Sequence, residues 1–137
     1  MKKRRISTTD YHQLVSLREM AILHAETPHQ IEQFYHQLLD AELSGQEQIS
    51  EQVITMNSRV CLKETSLGKL LKLTLAYPED ANPNEFKVSV FSSIGMALIG
   101  RTVGDHVSWK IHNLTAHFLV DEVIHQPEAV ADFNLNV

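Results

Sequence analysis

Cysteine is almost missing from this chain. Cys61 is the only one among 137 residues, so no disulfide can close within it, and its place in an apolar alternating stretch is that of a buried, inert thiol. A reducing, cytoplasmic setting fits that usage. Glycine is scarce too, five in all, and none stands in GxGxxG or Gly-Lys-Ser/Thr spacing, which excludes the two common nucleotide-binding loops. Apolar runs long enough to cross a bilayer are lacking. The basic start Lys2-Lys3-Arg4-Arg5 leads into the polar run Thr8 to Gln13 and not into the apolar core of a secretory signal. Positive charge is also short: 12 Lys and Arg stand against 17 Asp and Glu, a net charge of -5. Direct binding to nucleic acid needs clustered cations, so DNA or RNA binding by the chain itself is the weaker expectation.

What is present is ordinary globular material. With 43% hydrophobic and 21% charged residues, the chain has enough apolar surface to fold, and its length suits one domain or a small domain with an appendage.

The first third reads as two helices. Apolar residues at helical spacing run from about Thr9 to Ala25, with Thr8 or Thr9 as the N-cap. A second helix is announced by Thr27 as cap, Pro28 at the first position and Gln30 three residues on, the capping-box spacing. Its stripe is Ile31, Phe34, Tyr35, Leu38 and Leu39, and Gly45 offers a C-terminal stop. The join is little more than Glu26 and Thr27, so an antiparallel two-helix hairpin is expected over residues 8–45, behind a solvated basic tail at 1–7 and ahead of a polar linker at 46–52.

After the linker the period changes to that of strands. Alternating runs begin at Val53 to Leu62, Lys69 to Tyr77, Phe86 to Phe91, His106 to Ile111 and Thr115 to Val123, with Ile94 to Ile99 as a short helix capped by Ser93 and closed by Gly100. Helices first and strands grouped later define an α+β chain, not alternating βαβ units.

Few residues invite chemistry. His24 with His29, and His112 with His117, lack a carboxylate or cysteine at ligand spacing, so they read as surface histidines. Ser92 and Ser93 sit in no nucleophile elbow and read as helix caps. No catalytic residue, metal site or cofactor is expected.

One stretch resembles a known family. Val90-Phe91-Ser92-Ser93-Ile94-Gly95-Met96-Ala97-Leu98-Ile99-Gly100, followed by Gly104-Asp105, resembles the C-terminal domain of the bacterial Gre transcript-cleavage factors: strand, Ser-Pro-Ile-type loop, short helix, Gly-Asp turn. Val53 to Val60, Tyr77-Pro78 and His125-Gln126-Pro127-Glu128-Ala129 look like the subfamily called regulator of nucleoside diphosphate kinase. The resemblance spans residues 53–129 and is architectural over 8–45. It implies an FKBP-like antiparallel β domain at 53–137 behind a short coiled coil, in a protein that docks on RNA polymerase near its secondary channel; a monomer is expected. It places the polymerase contact at Ser92, Ser93 and Ile94, and Ile94→Asp is expected to weaken that contact without unfolding the chain. Two departures stand out. Ser93 replaces the loop proline and its fixed φ. The hairpin tip carries one acid, Glu26, where Gre factors carry a metal-holding pair. Helices of about 17 residues also reach only about 25 Å, so the tip is expected to stop short of a deep active site, leaving a regulator without cleavage activity. Cleavage through Glu26, and prolyl isomerisation by an FKBP-like fold, are the alternatives.

Overall fold

In a computed structural model, which describes residues 3–127, the chain is a mixed α+β fold. The ends of the expected tail and β domain, residues 1–2 and 128–137, lie outside the described residues. Chain order is β1 (Arg5–Ser7), α1 (Thr8–Ser16), α2 (Arg18–His24), α3 (Pro28–Leu39), β2 (Glu42–Ser44), β3 (Arg59–Glu64), β4 (Leu70–Ala76), β5 (Lys87–Ser89), α4 (Ser93–Leu98), β6 (His106–Ile111) and β7 (Leu114–His125).

Five strands form the main sheet in the order β5-β4-β3-β7-β6. Its pairs are antiparallel except β4 with β5, which run parallel. The expected all-antiparallel sheet is corrected there, because the chain between them crosses over through two short 3-10 turns, Pro78–Asp80 and Pro83–Glu85, and re-enters in the same direction. Period-2 alternation sets the inner face: Val60, Leu62, Leu73, Leu75 and Val120 are buried, as one-sided burial of a sheet requires. Cys61 is buried as well. Val53 to Met56 is also buried, but it is a packed turn with one isolated bridge to Thr102 and not the start of a strand.

The N-terminal third departs most from expectation. The first helix is broken at Leu17, whose N–H turns back to the Leu14 carbonyl. No glycine or proline marks the break. The Leu14 carbonyl also accepts the Tyr35 hydroxyl, 21 residues away, and a contact of that range is invisible to local periodicity. Ser7, not Thr8 or Thr9, is the N-cap, with its Oγ accepting the Asp10 N–H at 3.1 Å. The second helix starts at Pro28 as expected but ends at Leu39, and Glu42–Ser44 continue as β2, paired in parallel with β1.

The helices do not stand clear of the sheet as an arm. Leu14, Ala21, Ile31, Phe34 and Leu38 belong to the same apolar core as Val60, Leu75, Leu98 and Val120. Asp10 Oδ2 accepts the Met56 N–H at 3.0 Å, tying α1 to the segment before β3. The reason is the width of the apolar stripe on α3, which leaves too much surface for a two-helix contact alone to cover.

The basic tail is likewise corrected. Ile6 and Ser7 are fully buried and Arg4 is 7% exposed, with Arg5–Ser7 held as β1. A strand pairing and three side-chain hydrogen bonds from Arg4 outweigh the tendency of a charged terminus to fray.

Candidate functional site: the α4 loop and its two clefts

The short helix α4 is the centre of the site. Six residues make a helix too short to hold itself in water, so both ends must be fixed from outside. At the N-terminus Ser92 is the cap: its Oγ accepts the Gly95 N–H at 3.1 Å and donates to the Ser89 carbonyl at 2.6 Å. The expected cap, Ser93, is corrected by one residue: Ser92 caps and Ser93 is the first helical residue, because the Ser92 hydroxyl is the one within reach of the Gly95 N–H.

At the other end Arg4 takes the place of a C-cap. Its Nη1 donates to the carbonyls of Met96 at 2.6 Å and Ile99 at 2.9 Å, and its Nη2 to Gln37 Oε1 at 2.6 Å. Cations at a helix C-terminus are favoured by the aligned carbonyl dipoles. The guanidinium also lies 5.4 Å from the centre of the Phe34 ring. Burial, and then the neighbouring Arg101 charge, push Arg4 down to about 9, which leaves it cationic at neutral pH. Arg4 therefore joins the N-terminus, α3 and α4 in one clamp. Sequence reasoning missed it, and the one local hint is Ile6, an apolar residue directly after the basic run.

Two glycines let α4 sit this close. A Cβ on Gly95 would come within 2.0 Å of the Ser89 carbonyl oxygen, and one on Gly100, whose φ is +80°, within 2.8 Å of Arg4 Cβ.

The loop that α4 presents has three different faces. Ser92 is half-buried, Ser93 is exposed, and Ile94 is half-buried and packed against the core. Ile94→Asp would therefore place a carboxylate against apolar neighbours, so it tests stability as much as docking. Ser93 is the residue that can be changed freely. A proline there would meet two favourable conditions: Ser92 has ψ 161, the extended form a residue before proline prefers, and the first helical position suits proline. Ser93→Pro is expected to fold normally and to raise stability by about 0.5 kcal/mol, read as a small rise in urea midpoint. A lower midpoint would show that the loop is not in this form.

The structure brings Glu26 to the same place. A cleft of about 420 Å³ lies between the α2–α3 turn and the α4 loop, lined by Glu26, Ala25, Phe91, Ser92, Ser93 and Met96 among others. Glu26 is the one carboxylate lining it among the described residues, and it is exposed. Thr27 makes no cap to the backbone, and its hydroxyl meets Gln30 Oε1 instead. Ile94 does not line this cleft. A second cleft lies on the other side of Ser93 and Met96, between α3, α4 and β6, so Ser93 stands on the ridge between the two. The expected surface histidines His24, His29, His112 and His117 are all exposed. Trp109 is half-buried, its ring stacked on Phe118 at 4.8 Å and 6°.

Residues 49–124 match the family model described as transcription elongation factor, GreA/GreB, C-term, a span that contains the whole α4 loop. The chain belongs to the GreA/GreB C-terminal-domain family. Among its relatives, the regulator of nucleoside diphosphate kinase of Escherichia coli (strain K12) is 35% identical over 96 residues, 69% of this chain and 71% of that protein. The transcription elongation factor GreA of Syntrophus aciditrophicus is 41% identical over 64 residues, 47% of this chain and 38% of that one. A solved prokaryotic transcription elongation factor GreA/GreB from Nitrosomonas europaea superposes with a TM-score of 0.73 at 28% identity, covering 91% of this chain and all of that one.

Proposed function

We infer that this chain is a transcription regulator of the elongation-factor type, which binds RNA polymerase near its secondary channel through the Ser92-Ser93-Ile94 loop and has no transcript-cleavage activity of its own. Family membership supports the class. The observation that carries the docking face is the exposed Ser93 at the start of a helix clamped at both ends, because a contact held this rigidly costs little ordering on binding. We read the sheet around α4 as FKBP-like in arrangement, and the protein as a cytoplasmic monomer that meets nucleic acid only inside the transcription complex.

The cleavage alternative rests on Glu26. A divalent ion wants several oxygen ligands, and this cleft offers one carboxylate. The helices that carry it are seated on the sheet, and α3, with its 12 residues, measures about 18 Å. Adding the protein to a backtracked complex of core polymerase is expected to leave cleavage at the polymerase's own rate, and Glu26→Ala is expected to change nothing. A stimulated rate that Glu26→Ala removes would replace this reading with the cleavage one. For prolyl isomerisation the support is weaker still: Trp109 lies at the sheet edge beside a cleft lined by glutamines, Ser108 and Lys110, not at the floor of an enclosed apolar pocket.

These expectations leave a defined role. The protein occupies the docking surface, and factors that need the same surface are excluded by mass action. Retention of core RNA polymerase by the immobilised protein is the direct test, and failure to retain it would end the reading.

A further inference from the structure

The cleft between α3, α4 and β6 has a lining unlike the rest of this acidic protein. Arg4 and Lys110 contribute to it, and among the described residues no Asp or Glu does. Arg4 is 7% exposed, its hydrogen-bond partners Met96, Ile99 and Gln37 are all neutral, and its Nε is buried without a partner among the described residues. Buried cations are ordinarily matched by an anion, so the lining carries positive charge that its own acceptors leave unneutralised.

The shape of the cleft says what kind of anion fits. Ser108, Trp109 and Lys110 all line it. Successive residues of a strand point to opposite faces, so a cleft lined by three in a row fits one that runs along the strand's edge. β6 is the end strand of the sheet, paired with β7 alone among the described residues. An edge of this kind offers free N–H and C=O groups to another extended chain. A residue of extended chain fills about 160 Å³, from a rise of about 3.4 Å, a strand spacing of about 4.8 Å and a layer depth of about 10 Å. The cleft, at about 280 Å³, therefore has room for about two such residues beneath the row of Gln33 and Gln37.

We propose that the edge of β6 takes an extended, acidic segment of the partner protein, which adds to the sheet as a further strand and sets a carboxylate against Lys110, in the positive field of Arg4. The proposal rests on the reading that RNA polymerase is the partner, and it extends the docking face from Ser93, which lines this cleft as well, along β6. Positive charge alone would suit RNA as well as an acidic segment; the strand edge favours the protein, because its backbone groups pair with another backbone.

Lys110 is exposed, so Lys110→Glu and Lys110→Arg are both expected to keep the parent melting temperature. Lys110→Glu is expected to weaken binding to core RNA polymerase by about tenfold or more, and Lys110→Arg to leave it within about twofold. A photo-cross-linking residue in place of Ser108 is expected to capture an acid-containing segment of a polymerase subunit. Equal affinity for Lys110→Glu and the parent, or a cross-link to transcript RNA or to a segment without acids, would overturn the proposal while leaving polymerase binding intact. If the parent itself does not bind polymerase, the reading of function falls first and this inference falls with it.

Discussion

Replacing Gly95 by alanine is expected to cost about 3 kcal/mol and to lower the melting temperature by roughly 10 °C. The added Cβ would stand 2.0 Å from the Ser89 carbonyl oxygen and 2.7 Å from Val90 Cα. Both obstacles are backbone, so neither can swing aside, and α4 must lift off β5. That movement would also break the Ser92 cap, whose hydroxyl joins Ser89 and Gly95. Thermal unfolding followed by circular dichroism reads the effect. A melting temperature within about 2 °C of the parent would mean that α4 is not packed this way.

Arg4→Met should have a comparable effect for a different reason. The apolar stem is kept, but the carbonyls of Met96 and Ile99 and the Gln37 side chain lose their donor and the contact with the Phe34 ring is lost. Of these acceptors the Ile99 carbonyl is the one in a fully buried bond, and leaving it unpaired costs about 1–3 kcal/mol; the two part-buried acceptors add less, and removal of a buried cation offsets part of the sum, so a net loss of about 2 kcal/mol is expected. Arg4→Lys should recover little, because a single ammonium cannot span the three acceptors that the planar fork reaches. A shift in urea midpoint measures both variants. Parent-like stability of Arg4→Met would show that the N-terminus is the solvated tail that charge alone suggests.

Arg4 also shows where the sequence stops being legible. Lys2 to Arg5 read as a frayed end because nothing within a few residues partners them, whereas the partners lie on α3 and α4, 33 and 95 residues away for Gln37 and Ile99. The break at Leu17 was hidden in the same way, since the Tyr35 hydroxyl that meets the Leu14 carbonyl comes from another helix. β2 was hidden because three residues at a helix exit carry no period of their own. By contrast β6 runs His106–Ile111, just as its alternation says, and Pro28 opens α3, because both depend on neighbours in sequence. The cap fell on Ser92, one residue before the expected Ser93, but the α4 loop was legible as a pattern and Glu26 as a lone tip acid. That Glu26 and Ser93 line one cleft was not, since it follows from helices seated on the sheet rather than projecting from it.

The account stands on Ser93 as the exposed centre of a polymerase-binding face. Affinity for core RNA polymerase, measured by fluorescence anisotropy for the parent and for Ser93→Trp, tests it most directly. The indole would crowd the ridge between the two clefts from an exposed position, so the melting temperature is expected to hold while affinity falls by about tenfold or more. Parent-like affinity in a normally folded Ser93→Trp would contradict the account.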